Sequence, residues 1–285
     1  MRVDKSVLPA STGKVQAEIF HNQRIKEYPG FIEVMTCSRP LFREPGWEFH
    51  DKWDGERRAK KKEDGSSSDV ENVQRAVRRA KINLRDLALC NEMKYFVTVT
   101  IDQMQIDRYD INAIVKRLNV WCSNRVQRDG FAYILVPELH RDGAIHFHGF
   151  INDALPLVDS GTISLPGSKK PKRPRSEAQR SEWLRSGGHI VYNIPDWNFG
   201  FTTAIELYGD PVSAVMYCCK YIGKQKEGEV SQKIGGRWFY HGGCKNRPAV
   251  SYADADFDQQ MLLGHVYAWE VPAAGAIFTK ERINL

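Results

Sequence analysis

Three residues in one short stretch have the types and spacing to hold a divalent cation. Val136 to Phe150 reads VPELHRDGAIHFHGF. His146 and His148 are two apart, so in a β-strand they share a face while Phe147 points into the opposite layer. The run from Phe131 to His140 is also strand-like, and Arg141-Asp142-Gly143 between the two reads as a three-residue hairpin loop with Gly143 at the left-handed position. That loop length sets the register. His140 then faces Ala144, Glu138 faces His146 and Val136 faces His148, whereas a two-residue loop would put Glu138 on the wrong side. One carboxylate and two imidazoles converge, a donor set suited to a divalent metal with open positions. A half-buried histidine pair with ordinary hydrogen bonds is the bland alternative. His140 lies nearer the turn and reads as a rim residue.

A second group lies on a helix. Asp210 is a good N-cap, Pro211 suits the first helical position and Gly223 suits the stop. The helix expected between them, Val212 to Ile222, carries Tyr217 and Tyr221 one turn apart, with azimuths differing by about 40°. Lys220 and Lys224 repeat the spacing, giving two interlocked YxxK units. Packing tyrosines are common on helices, but a structural tyrosine needs no cation beside its hydroxyl. A phenol has a pKa of about 10, and ionising it at neutral pH costs ~4 kcal/mol. A neighbouring ammonium offsets part of that cost and can hold a phosphate. A tyrosine nucleophile, a lysine and a metal polarising a phosphate oxygen make a coherent phosphodiester transesterification site.

The elements that position these groups read as an α+β arrangement. Asp69 to Asn91 has helical periodicity. Lys94 to Asp102 alternates as a strand, with Phe96, Thr98, Thr100 and Asp102 on one face. Asp107 to Arg128 is a helix stopped by Gly130, the hairpin follows, and His189 to Ile194 and Phe199 to Leu207 complete the sheet. The expected fold is an α+β sandwich, an antiparallel sheet with helices on one face. The division expected is a region over 1–90 with a basic loop and a helix, a central domain over 91–252, and a tail over 253–285. Residues 1–50 are turn-rich, with a short strand over Phe31 to Cys37. Residues 152–188 read as an insertion, whose run from Lys169 to Arg175 is too proline-rich and charged for a regular element.

With the 285 residues at 42% hydrophobic, one sizeable core is affordable. The formal charge of +6 fits a nucleic-acid partner without requiring one. Basic residues cluster at Arg57 to Lys62 and Lys169 to Arg175, which could contact a phosphate backbone. Six cysteines show no CxxC spacing, and adjacent Cys218 and Cys219 look like small buried residues. No signal-like start or membrane span is evident, so an intracellular, cytoplasmic protein is expected. No GxxxxGK[ST] occurs, so unwinding would need a separate helicase.

Glu138 with the HFH element, followed by YCCKYIGK, resembles the HUH-type rolling-circle replication initiators, in particular phage replication proteins of the microvirus and filamentous gene II kind. The resemblance runs over about Lys94 to Lys224 and extends to the Gly235 to Pro248 stretch, GGRWFYHGGCKNRP. It implies a ferredoxin- or RRM-like antiparallel sheet, with the metal ligands on a central strand and the tyrosine helix alongside. It implies Mg²⁺ or Mn²⁺ held by Glu138, His146 and His148, with Tyr217 and Tyr221 as nucleophiles and Lys220 and Lys224 at the phosphate. It implies nicking and rejoining of single-stranded or hairpin origin DNA through a 5′-phosphotyrosine, a free 3′-OH, and a host helicase and polymerase as partners. A transposase or relaxase of the same superfamily, a metal-dependent hydrolase using water, and a non-catalytic RRM-like single-strand binder are the alternatives.

Overall fold

A computed structural model describes residues 20–43, 69–140, 142–168, 170–224, 231–262, 267–271 and 274–285. In chain order the elements are β1 (Phe20–His21), β2 (Gln23–Tyr28), β3 (Phe31–Cys37), β4 (Phe42–Arg43), α1 (Asp69–Cys90), β5 (Tyr95–Thr100), α2 (Ile111–Asp129), β6 (Tyr133–Leu139), β7 (Ile145–Ile151), β8 (Val158–Ser164), α3 (Glu177–Arg185), β9 (His189–Asn193), β10 (Thr202–Glu206), α4 (Pro211–Cys219), β11 (Tyr240–Gly242), β12 (Ala249–Ala253), α5 (Phe257–Leu262), β13 (Tyr267–Val271) and β14 (Ala276–Asn284). They form two compact units, residues 56–247 and residues 1–55 with 248–285.

The larger unit is built on a seven-stranded sheet in the order β11-β6-β7-β5-β10-β9-β8, antiparallel throughout. Alternation sorts its side chains into two cores. Val97, Val99, Leu135, Phe147 and Ile151 meet Ile114, Leu118 and Cys122 of α2 on one face. Ile134, Val136 and Phe150 meet Ala80, Leu84 and Leu87 of α1 and Val215, Cys218 and Cys219 of α4 on the other. The α+β class with an antiparallel sheet is as the sequence indicated. Helices occupy both faces rather than one, because both faces of the central strands are apolar. At α2, Asp110 accepts a hydrogen bond from Ala113 N and Gly130 ends the helix in the left-handed conformation.

Residues 152–188 carry regular elements on either side of the basic run, whose described residues 170–175 have only an isolated bridge, as its proline and charge content indicate. These elements are β8, which pairs with β9 to extend the sheet, and α3, capped by Ser176. The fully buried Ile163 anchors β8. Arg180 pairs with Asp159 at 2.5 Å, Arg173 donates to the Ser160 carbonyl at 3.2 Å, and Lys172 bridges to Ile163. Within the basic run the Arg173 guanidinium and the Lys172 backbone therefore tie it to β8. The Arg57 to Lys62 run lies outside the described residues.

In the smaller unit, β12-β2-β3-β14-β13 form an antiparallel five-stranded sheet, and β1 pairs with β4. Its central strand β3 spans the residues expected from the sequence. Among the described residues no helix is long and apolar enough to cross a membrane.

Candidate metal and tyrosine site

The hairpin of β6 and β7 has the register the loop length requires. Glu138 pairs with His146 and Val136 with His148, and His140 N donates to the Ala144 carbonyl. Gly143 has φ of 89°, a conformation costly for any residue with a Cβ. The loop is held by Asp142, whose carboxylate accepts from Ala144 N and pairs with Arg108 at 2.5 Å. Gly149, following the HFH element, has a different reason. A Cβ there would stand 1.8 Å from the Ile134 carbonyl oxygen, so glycine is what lets β6 and β7 approach at the level of the histidines.

Glu138, His146 and His148 each offer a ligand atom, and these atoms lie within 4.8 Å of one another. Glu138 Oε2 is 3.2 Å from His146 Nε2 and 3.1 Å from His148 Nε2. The histidines sit deep, with His146 only 5% exposed. Burial alone would raise the Glu138 pKa, but hydrogen bonds from His146, His148 and Lys224 outweigh it and hold the carboxylate well below its usual range. The set fits a divalent ion by donor chemistry: one anionic oxygen and two imidazole nitrogens converge, and the carboxylate stays ionised.

Thr98 of β5 adds a partner the sequence reading left without a role. β5 pairs with β7 so that Thr98 lies opposite His148, and Thr98 Oγ1 is 3.0 Å from His148 Nδ1. In the metal-free site Nε2–H of His148 can donate to Glu138; a metal there would take the other tautomer, in which Nδ1–H donates to Thr98 and the Nε2 lone pair faces the ligand cluster. The face assignment of Thr98 was readable from alternation, but the β5–β7 neighbourhood was not. His146 Nδ1 is buried with no hydrogen-bond partner among the described residues, so that ring is placed by its Nε2 contact to Glu138 and by packing, 3.9 Å between centroids from the exposed His140 and 4.6 Å from His148.

The tyrosines reach the same face by way of α4. Asp210 accepts from Val212 N, Pro211 opens the helix, and Val215, Cys218 and Cys219 are buried against α1 and the sheet. The regular helix is shorter than expected and stops at Cys219. Amides of Lys220, Tyr221 and Ile222 donate to carbonyls three residues back, a tighter winding. Both phenols nevertheless meet: Tyr221 Oη donates to Tyr217 Oη at 2.8 Å. The Tyr221 ring stacks on His148 with centroids 4.3 Å apart, and Tyr217 packs edge-on to Phe96 at 5.9 Å. Burial pushes the Tyr221 phenol up, and the Tyr217 hydrogen bond and the Glu138 charge act in the same direction. Tyr217 is 49% exposed. Lys224 Nζ lies 2.5 Å from Glu138 Oε1 and 5.5 Å from the centre of the Tyr221 ring, and Lys220 Nζ lies 5.6 Å from that of Tyr217. All seven residues singled out from the sequence therefore gather on one side of the sheet.

Residues 94–226 match the family model of the replication-associated protein ORF2/gene II protein. The match runs from the residue before β5 to just beyond Lys224, which covers the whole cluster and just under half of the chain. It supports the replication-initiator resemblance that the motifs carry. No curated protein and no solved structure matches the chain.

Proposed function

We propose that this protein initiates rolling-circle replication by nicking and rejoining single-stranded origin DNA through its tyrosines. The observation that carries the proposal is the stacking of Tyr221 on His148, which brings a phenol pair over the Glu138, His146 and His148 cluster. Mg²⁺ or Mn²⁺ bound by these three residues would draw charge from a non-bridging oxygen of the scissile phosphate. The two nitrogen donors favour Mn²⁺ over the harder Mg²⁺.

The chain's own groups account for the rest. Thr98 would accept from Nδ1–H of the His148 tautomer that offers Nε2 to a metal. The attacking tyrosine oxygen forms a bond to phosphorus while the bond to the 3′ oxygen breaks. The phenol's proton leaves the tyrosine, and the departing oxygen gains one to become a free 3′-OH. Tyr217 accepts the Tyr221 hydrogen bond and so offers the first step of that proton's path. The ammonium of Lys224, beside both Glu138 and Tyr221, offsets negative charge as it develops. A second tyrosine one turn away can take over the 5′-phosphoryl link after one round. Unwinding and synthesis fall to a separate helicase and polymerase.

The test is cleavage of a single-stranded origin oligonucleotide with Mn²⁺. Wild type is expected to cleave. Glu138→Ala is expected to bind the strand without cutting it, and Tyr217→Phe with Tyr221→Phe to abolish cutting. Normal cleavage by the double phenylalanine variant would leave the tyrosines as packing residues and favour a water nucleophile.

A further inference from the structure

The cross-strand row that holds two of the metal donors ends in an exposed ring. Glu138 of β6 faces His146 of β7, and His146 faces Thr100 of β5. The register of β5 with β10 sets Thr203 against Thr98 and Thr202 against Val99, so one residue earlier in the chain Phe201 stands against Thr100. Residues opposite one another in an antiparallel sheet point to the same side, so Glu138, His146, Thr100 and Phe201 share a face. Two strand spacings separate β7 from β10, which puts Phe201 about 10 Å from His146. Phe201 is 73% exposed.

The backbone that carries this ring is fixed to β5. Thr100 N and Thr100 Oγ1 both donate to the Phe201 carbonyl, at 2.8 and 2.9 Å, and Phe201 N donates to Thr100 Oγ1 at 3.2 Å. Two residues earlier the Phe199 carbonyl accepts from Asp102 N at 2.9 Å. The Phe199 ring packs edge-on to Trp197 at 5.2 Å, in the core under the opposite face of the sheet. Strict alternation would put both phenylalanines on one side. Gly200 breaks it. A Cβ there would stand 2.2 Å from the Thr100 carbonyl oxygen, so glycine lets the chain run this close to β5 with one ring turned in and the other out.

One exposed apolar side chain is ordinary on a protein surface. The surroundings of Phe201 are not. Between the imidazoles and the ring this face of the sheet carries only threonines, Thr98 and Thr100 on β5 and Thr203 on β10, all half-buried. They make a low floor. Helix α4 borders it, with Tyr221 stacked on His148 and Tyr217 against Phe96, two residues along β5 from Thr98. The phenols thus line one side of the floor and Phe201 stands on the other. A phosphate at the metal donors would leave the base of a neighbouring nucleotide over the threonines and against the ring. Stacking on an aromatic side chain holds an unpaired base of any identity. In a duplex the bases stack on one another, and the ring has no free face to meet.

We propose that Phe201 is a positioning residue, which stacks on a base beside the scissile phosphate and so sets which phosphodiester lies over the donors. This rests on the nicking function proposed above, and the test separates the two. In a metal chelator, where nothing is cleaved, fluorescence anisotropy follows the binding of dye-labelled thirty-nucleotide oligo-dT to the full chain. Phe201→Ala removes a mostly exposed ring, and circular dichroism checks that the fold is kept. It is expected to weaken binding about tenfold, and Phe201→Trp to bind as wild type does. Val120→Ala, which trims an exposed side chain of α2, is expected to change nothing. A second measurement locates the base. In the oligonucleotide that the wild type cleaves with Mn²⁺, each nucleotide is made abasic in turn. At one position beside the cut, the missing base is expected to slow wild-type cleavage about tenfold but Phe201→Ala cleavage less than about twofold, because the variant has already lost the contact. Unchanged oligo-dT affinity in Phe201→Ala would overturn the proposal, as would equal losses for wild type and variant at every abasic position. If the wild type cleaves no single strand, the nicking reading fails, and the oligo-dT comparison still decides whether Phe201 holds a base.

Discussion

Replacing Thr98 by valine removes one hydroxyl and little else. Valine is nearly isosteric and β-branched, so β5 keeps its strand preference and its pairing with β7. What is lost is the 3.0 Å contact to His148 Nδ1. That histidine's side chain is only 13% exposed, so the ring nitrogen would be left buried and poorly solvated. A net hydrogen bond contributes about 0.5–1.5 kcal/mol, and a buried polar group left unmatched costs about 1–3 kcal/mol. The imidazole would also be free to present Nε2–H instead of a lone pair to the ligand cluster. Partners of this kind change metal affinity by about 10- to 100-fold, or ~1.4–2.7 kcal/mol. Titration of the metal-free protein with Mn²⁺, followed by calorimetry or by the loss of the free-ion paramagnetic resonance signal, should show a weaker Kd in that range. Thr98→Ser, which restores the hydroxyl, should recover most of it. An unchanged Kd in Thr98→Val, with unchanged thermal stability, would show that Thr98 does not set the state of His148.

Other consequences are direct. Gly149→Ala should cost about 3 kcal/mol or more, because the added carbon meets backbone rather than a movable side chain. For a unit of this size that is a fall in Tm of roughly 6 °C or more, read by calorimetry. In chelator, the Glu138 carboxylate should stabilise the fold fully above its unfolded pKa of about 4.3 and lose that contribution as pH falls toward its depressed folded value. The gap in Tm between wild type and Glu138→Gln should therefore narrow below about pH 4.3, and a gap that widens on acidification would contradict the assignment. Burial pushes the Cys122 thiol up to about 12, so in the folded protein at pH 8 it should resist a thiol reagent that labels it rapidly after unfolding. Peptide mapping after a timed pulse reads this.

Much of the site was legible because it depends on local periodicity. The three residues between β6 and β7 fix which side chains face each other, so Glu138, His146 and His148 could be placed together before any fold was known. Tyr217 and Tyr221 followed from helical spacing, and their hydroxyls meet even though the helix tightens after Cys219. What was not legible depends on non-local pairing. That Thr98 supports His148 requires β5 to lie beside β7. That β8 forms within the insertion requires Ile163 to find a place beside β9, a long-range gain that the local sequence does not show. The five-stranded sheet is the extreme case. Strand β3 was readable from its residues, but its partners come from both ends of the chain.

The central claim is that a tyrosine over the Glu138, His146 and His148 cluster becomes joined to DNA. It is tested most directly by incubating the full chain with Mn²⁺ and a single-stranded origin oligonucleotide, digesting both polymers, and locating the residual nucleotide by mass spectrometry. The account requires a 5′-phosphoryl nucleotide on Tyr217 or Tyr221. Cleaved DNA with both tyrosines unmodified, or a nucleotide attached at any other residue, would contradict it.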